Sequence, residues 1–144
     1  MDFSAYLGEA VERLLGEKPF SKWLFTRTVE NDLDEPVVTY SSEQNGLEIA
    51  CNDASEVNTI FVTPKGYFAA ATDWLPTPFF WSRRNVVHEF GRPSKSGASW
   101  DRYDYPEYSV HYQFLSRTGT IAMITFMKAE VVPGSLILRD SDSR

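Results

Sequence analysis

Six side chains of this 144-residue chain have the chemistry for catalysis or metal binding: Cys51, His88, His111 and the carboxylates Asp101, Asp104 and Glu107. A close carboxylate pair can act as acid and base, or hold a divalent cation through converging oxygens. A thiol or hydroxyl beside a histidine makes a nucleophile with its base. The spacing argues against each of these. Asp101 and Asp104 lie in Trp100-Asp101-Arg102-Tyr103-Asp104-Tyr105, which reads as a strand, and alternation sends them to opposite faces. The two histidines have no ligand-like spacing, and no G-x-S-x-G frames a serine. The glycines at 8, 16, 46, 66, 91, 97, 119 and 134 form neither G-x-G-x-x-G nor a phosphate-binding loop. Cys51 is the only cysteine, which excludes an intramolecular disulfide and a cysteine-based metal site. The expectation is a protein that is not an enzyme and carries no cofactor or metal.

The same residues suit binding better. Trp, Tyr and Arg dominate interface hot spots, so Trp100, Asp101, Arg102, Tyr103, Asp104 and Tyr105 read either as aromatic cover of a sheet edge or as a partner-facing patch. Trp74 and Trp81 flank an aromatic loop over 73–81 and are candidate anchors of the same kind. Glu30, Asp32, Asp34 and Glu35 form a dense acidic turn. Charge is divided unevenly: residues 1–64 hold 12 acidic and 4 basic side chains, residues 65–144 hold 8 and 10. A negative surface repels phosphate backbones and steers basic partners, so nucleic acid is disfavoured and a basic protein partner favoured. No basic leader precedes an apolar run, and no apolar run approaches the ~18 residues of a membrane span, so a cytoplasmic protein without membrane attachment is expected.

The elements that must position these residues follow from periodicity. Phe3, Tyr6, Leu7, Ala10, Val11, Leu14 and Leu15 recur at helical spacing, with Asp2 or Ser4 to cap and Gly16 placed to end the helix in the left-handed region. Strands are expected over 23–28, 37–40, 47–52 and 57–63, separated by Asn and Gly turns. An ordered aromatic loop over 64–81 should pack on the sheet. Ser82 caps a short helix over 83–90 with Trp81 and Val86 as a hydrophobic staple, and Gly91 and Pro93 stop it. A polar loop over 94–99 precedes strands over 100–105, 108–115 and 120–128, with a last strand over 136–138. The order repeats, which predicts an α+β chain of two degenerate helix-then-antiparallel-sheet halves, 1–64 and 82–138, within one domain 1–144.

Ser82-Arg83-Arg84-Asn85-Val86, Phe90-Gly91-Arg92-Pro93-Ser94 and the strand pair Trp100-Asp101-Arg102-Tyr103-Asp104-Tyr105 and Tyr108-Ser109-Val110-His111 resemble a group of small bacterial proteins found as immunity proteins beside polymorphic toxins. The helix, Gly-x-Pro and strands are also similar to BamE-like and β-lactamase-inhibitor-like folds, which present a sheet face to a protein. The resemblance covers roughly residues 75 to 128. It implies an immunity protein that binds a cognate toxin and occludes its active site, and the acidity suits a nuclease whose substrate it would mimic. The alternative is a protein-binding or assembly module with no toxin. The loop 73–81 departs from the more uniform apolar run of that group, so its tryptophans are assigned to individual specificity.

Overall fold

The structure is a computed structural model that describes residues 2–32 and 34–129. Its frame is one antiparallel sheet of eight strands: β1 (Thr26–Glu30), β2 (Val37–Ser42), β3 (Leu47–Cys51), β4 (Val57–Val62), β5 (Lys95–Ser96), β6 (Trp100–Asp104), β7 (Tyr108–Phe114) and β8 (Ile121–Lys128). The spatial order is β1-β2-β3-β4-β8-β7-β6-β5. Two short α-helices, α1 (Val11–Leu15) and α2 (Arg83–Phe90), and several 3-10 turns complete the described residues. The fold is α+β and mostly sheet. The strand expected over 136–138 lies outside the described residues.

Alternation in the strands sets two faces. Ile49 pairs Ile60, Ile60 pairs Phe126, Phe126 pairs Val110 and Val110 pairs Tyr103, so these side chains form one row across five strands. All five are buried. Phe3, Tyr6, Val11, Leu14, Phe20, Phe68, Leu75, Phe79 and Val86, from the helical segments and the 64–81 connection, bury against this face to make one core. Rings carry much of the junction, with Phe3 against Phe126 at 5.7 Å and against Phe20 at 5.6 Å. Burying such aromatic area stabilises by about 25 cal/mol per Å². The 64–81 connection is ordered and packed, as its apolar content requires.

The N-terminal segment departs from a single helix. A 3-10 turn over Phe3–Tyr6, with Asp2 Oδ1 accepting from Ser4 N at 2.9 Å, is separated from α1 by Gly8 at φ +86°. There the chain bonds to the β3–β4 hairpin: Gly8 N donates to Val57 O at 2.7 Å and Val11 N to Ser55 O at 2.9 Å. Those bonds capture backbone groups that a continuous helix would use internally. Gly16 ends α1 at φ −83°, so its expected left-handed cap is not formed. α2 matches its punctuation: Ser82 and Asn85 form a reciprocal capping box, and Gly91 N closes on Val87 O at 2.8 Å. The polar segment after it is not all loop, because Lys95 and Ser96 pair with Arg102 and Asp101 as β5.

Candidate partner-binding face

The second face of the sheet carries a different set of residues. Following the register outward from β1, Thr26, Ser41, Glu48, Phe61, Thr125, His111, Arg102 and Lys95 stand in one row across all eight strands. Beside it run Thr39, Ala50, Thr59, Met127, Ser109 and Asp104. None of these side chains belongs to the core, and the described helices bury their apolar residues on the other face. Met127 is the one buried hydrophobic residue outside the core cluster. The open face is mainly small and polar, interrupted by Phe61, Met123, Met127, His111 and Trp100.

At the β6–β7 end this face is built tightly. Trp100 stacks on His111, ring centroids 5.1 Å apart at 23°. The indole also lies over Gly97, where a Cβ would come within 2.0 Å of Trp100 Nε1. Only a glycine fits beneath that ring. Arg102 Nε donates to Asp104 Oδ1 at 2.9 Å, Ser109 Oγ to the same oxygen at 2.6 Å, and Ser94 Oγ accepts from Asp104 N at 2.8 Å. Burial pushes His111 below the usual imidazole range, the Arg102 charge adds to this, and Asp101 opposes it. The imidazole is therefore held neutral, as a stacking ring rather than a cation.

At the β1–β4 end the same face opens into a groove of about 630 Å³, lined by Thr26, Ser41, Glu48, Phe61, Thr63 and Met123 among others. The exposed Glu43 and Lys65 line it as well. Phe61 and Met123 supply its apolar surface, and the short Thr and Ser side chains leave the depression.

The sequence candidates are dispersed by this geometry. Asp101 and Tyr103 fall on the covered face, 1% and 5% exposed, so neither can meet a partner; both are corrected from surface patch to framework. Asp101 accepts from Arg83 through both oxygens, at 3.0 and 2.7 Å, and from Ser96 Oγ at 2.7 Å. Arg83 also donates to the carbonyls of Gly97, Ala98 and Trp100. Burial alone would raise the Asp101 pKa, but the bonds from Arg83 and Ser96 outweigh it and hold the carboxyl below its ordinary range. Tyr103 packs on Phe90 and Tyr112, donates to Gly91 O at 2.8 Å, and is pushed up to about 12 by burial.

Trp74 is half-buried against Phe20, Phe3 and Tyr6, with centroids at 4.7, 5.1 and 5.7 Å, and Trp81 is half-buried against the core. Arg102 is largely buried on the open-face side, while Trp100 and Asp104 remain accessible there. Tyr105 lies in the β6–β7 turn against Tyr108 at 5.0 Å. Glu30, Asp32, Asp34 and Glu35 are exposed around the β1–β2 connection at the sheet edge. Phe61 and Met123 are not among the sequence candidates, and His111 is weighed there only for catalysis or metal binding. Phe61 had a signal: it is the large aromatic in the otherwise small and polar phase Thr59-Phe61-Thr63 that runs along β4 and one residue past it.

Catalytic groupings are sparse. No cluster of three or more His, Cys, Asp or Glu that could hold a metal ion occurs among the described residues. Cys51 is fully buried and its thiol is pushed up to about 11 by that burial, so it stays protonated and unreactive.

No family model matches the chain, and no curated protein sequence matches it. Solved structures do share its fold, among them two bacterial proteins. One is an extracellular protein containing an SCP domain from Bacillus anthracis str. Ames, TM-score 0.63 at 12% identity over 91% of this chain and 47% of that one. The other is a cysteine-rich secretory protein from Staphylococcus aureus subsp. aureus Mu50, TM-score 0.59 at 8% identity over the same shares. At such identities the likeness is one of fold alone, and the chain spans about half the length of each.

Proposed function

We propose that this chain is a non-catalytic protein-binding domain that docks its partner on the open face of the sheet. The observation that carries this reading is the unequal treatment of the two faces. One is closed by the helical segments, while the other carries Phe61, Met123 and Trp100 unburied by them among small polar residues. Accessible aromatic and thioether groups ringed by polar ones are the composition of a binding surface. The more specific role is the one the sequence resemblance implies: an immunity protein that occludes the active site of a cognate toxin with a basic surface. Glu30, Asp32, Asp34 and Glu35 would steer that partner and contribute little to final affinity. The two-half organisation belongs with this reading, because α1 precedes the run β1–β4, α2 precedes the run β5–β8, and β4 meets β8 at the centre. The immunity reading carries a cytoplasmic location with it; separately, among the described residues, no helix is long and apolar enough to cross a membrane.

A second reading has its own support. The same fold occurs in two solved chains about twice as long, described as extracellular and secretory, which favours a module that assembles with another domain. Co-purification of the tagged protein from its host, with cell fractionation, separates the two. A recovered toxin whose toxicity is neutralised stoichiometrically by the chain supports immunity; a structural or enzymatic partner with unchanged activity supports assembly. In either case, the Phe61→Ser and Trp100→Ser double variant is expected to weaken the complex by about 100-fold, or roughly 3 kcal/mol at 1.4 kcal/mol per tenfold. Unchanged affinity in a folded double variant would remove the open face as the docking surface.

A further inference from the structure

The groove at the β1–β4 end of the open face has a chemical character that the rest of that face lacks. Its accessible apolar side chains are one aromatic ring and one thioether, Phe61 and Met123, since Leu47, also in the lining, is buried in the core. Its titratable groups are two carboxylates, Glu43 and Glu48, against a single ammonium, Lys65. No ion pair among the described residues engages any of the three. An aromatic face, a polarizable sulfur and unpaired carboxylates together recognise a cationic side chain with an aliphatic stem: the stem lies on Phe61 and Met123 while the charged head meets carboxylate oxygens.

The row of residues along the groove has the length of an extended segment of chain. Thr26, Ser41, Glu48 and Phe61 are direct cross-strand neighbours, with Thr125 next in the row and Met123 one step along β8. Four inter-strand gaps of about 4.8 Å span roughly 19 Å, the length of about six extended residues at ~3.3 Å each. Thr26 and Ser41 line one end with short polar side chains, and Phe61 and Met123 form the apolar end.

We infer that this groove binds an extended basic segment of the partner protein, seating an arginine or lysine stem on Phe61 and Met123 with its head toward Glu48 and Glu43. The inference deepens the docking proposed for the open face and rests on it, but its chemistry is separable from the identity of any partner. Lys65 opposes the cation, and its flexible stem lets the ammonium turn to solvent, so removing it should tighten binding.

The test uses the full chain and three ten-residue peptides: alternating arginine and leucine, the same peptide with citrulline for arginine, and alternating glutamate and leucine. The chain holds three methionines, so ¹³C-methyl labelling gives a short spectrum in which Met123 reports from the groove and Met127 from the sheet beyond it. The expected result is a saturable shift of Met123 with the arginine peptide, at least 10-fold weaker binding by the citrulline peptide, and no shift with the glutamate peptide. Glu43→Gln with Glu48→Gln should weaken the arginine peptide at least 10-fold, and Lys65→Ala should tighten it about 2- to 3-fold. These are exposed side chains, so the variants retain the fold. Equal binding of citrulline and arginine peptides, stronger binding of the glutamate peptide, or no Met123 shift with any peptide overturns the inference. If Met123 stays silent while a recovered partner still loses affinity with Phe61→Ser and Trp100→Ser, the open face stands and only the basic-segment assignment falls.

Discussion

The two ends of the sheet are secured in opposite ways. At one end β5 is only two residues long, yet the hairpin it forms with β6 is bound to α2 through Arg83, Asp101, Ser96 and three backbone carbonyls. At the other end β1 is five residues long, and every one of its side chains is exposed. It is held by its ladder with β2 and by the exposed Arg27, whose Nε donates to Tyr40 Oη at 3.2 Å and whose guanidinium lies over that ring at 5.9 Å. Strand length is thus a poor guide to which edge is firm. The edge with the shorter strand is the more heavily bonded one, because a charge-assisted network anchored on the buried Asp101 crosses from helix to hairpin.

The largest effect should come from breaking that network. Arg83→Ala leaves the Asp101 carboxylate, 1% exposed, with Ser96 alone to satisfy it. A fully buried pair broken in this way costs about 3–5 kcal/mol. Because the Arg83 side chain keeps 38% exposure, solvent screening places the loss nearer 2–3 kcal/mol, measured as a fall in the denaturant midpoint. The acid limb gives a second readout. The folded Asp101 pKa lies below its ordinary 3.8, so its contribution is full above 3.8 and is lost as pH falls through the lower folded value. Arg83→Ala should flatten that acid-side loss, leaving a stability profile less dependent on pH below 3.8. A variant as steep as the parent would mean that Arg83 is not the group depressing Asp101.

A smaller effect should follow from disturbing the same hairpin at its turn. Gly97→Ala places a methyl group within 2.0 Å of Trp100 Nε1 and within 2.4 Å of Cε2, so the indole must move. Overpacking of this kind costs about 1–3 kcal/mol, and here the lower part of that range applies because the ring lies on an accessible face. The indole N–H resonance of Trp100 should shift, with His111 losing the ring-current effect of its stacked partner. Unchanged Trp100 and His111 resonances would refute the close approach. Partner affinity should fall with it, which links the firm edge to the binding face.

How much of this could be seen in the sequence depended on whether the signal was local. α2 was fully legible, since Ser82, Val86, Gly91 and Pro93 each act within a few residues. The strands β2, β3, β4, β6, β7 and β8 showed their β-branched and aromatic runs. The helix expected over residues 3–15 failed because Phe3, Tyr6, Val11 and Leu14 face the core whether or not the helix is continuous, and the bonds that break it come from Ser55 and Val57. β5 was hidden because Lys95 and Ser96 have no apolar phase. The site was less legible than the fold. Alternation did separate Trp100 and Arg102 from Asp101 and Tyr103, but which set faced the core depended on the β4–β8 pairing, a contact between residues more than sixty positions apart. The tryptophans 74 and 81 read as anchors because their loop is polar in pattern only at its prolines and threonines; their rings are largely committed to Phe3, Phe20 and the core.

The smallest effect is expected at the loose edge, where it most sharpens the contrast. Arg27→Ala removes an exposed guanidinium from β1 and should change stability by less than about 0.5 kcal/mol. Hydrogen exchange resolves what that equilibrium value cannot. Outward-facing amides of an exposed edge strand open by local fluctuation, whereas the amides of β7 and β8, whose alternate side chains are buried in the core, exchange only on global unfolding. β1 should therefore exchange far faster than β7 and β8, and the β5–β6 hairpin should be protected despite its short outer strand. Arg83→Ala should then convert the hairpin to the fast behaviour of β1 while leaving β1 unchanged. If the hairpin already exchanges as fast as β1 in the parent protein, the Arg83 network orients side chains without stiffening the edge, and the asymmetry between the two ends is one of geometry rather than of stability.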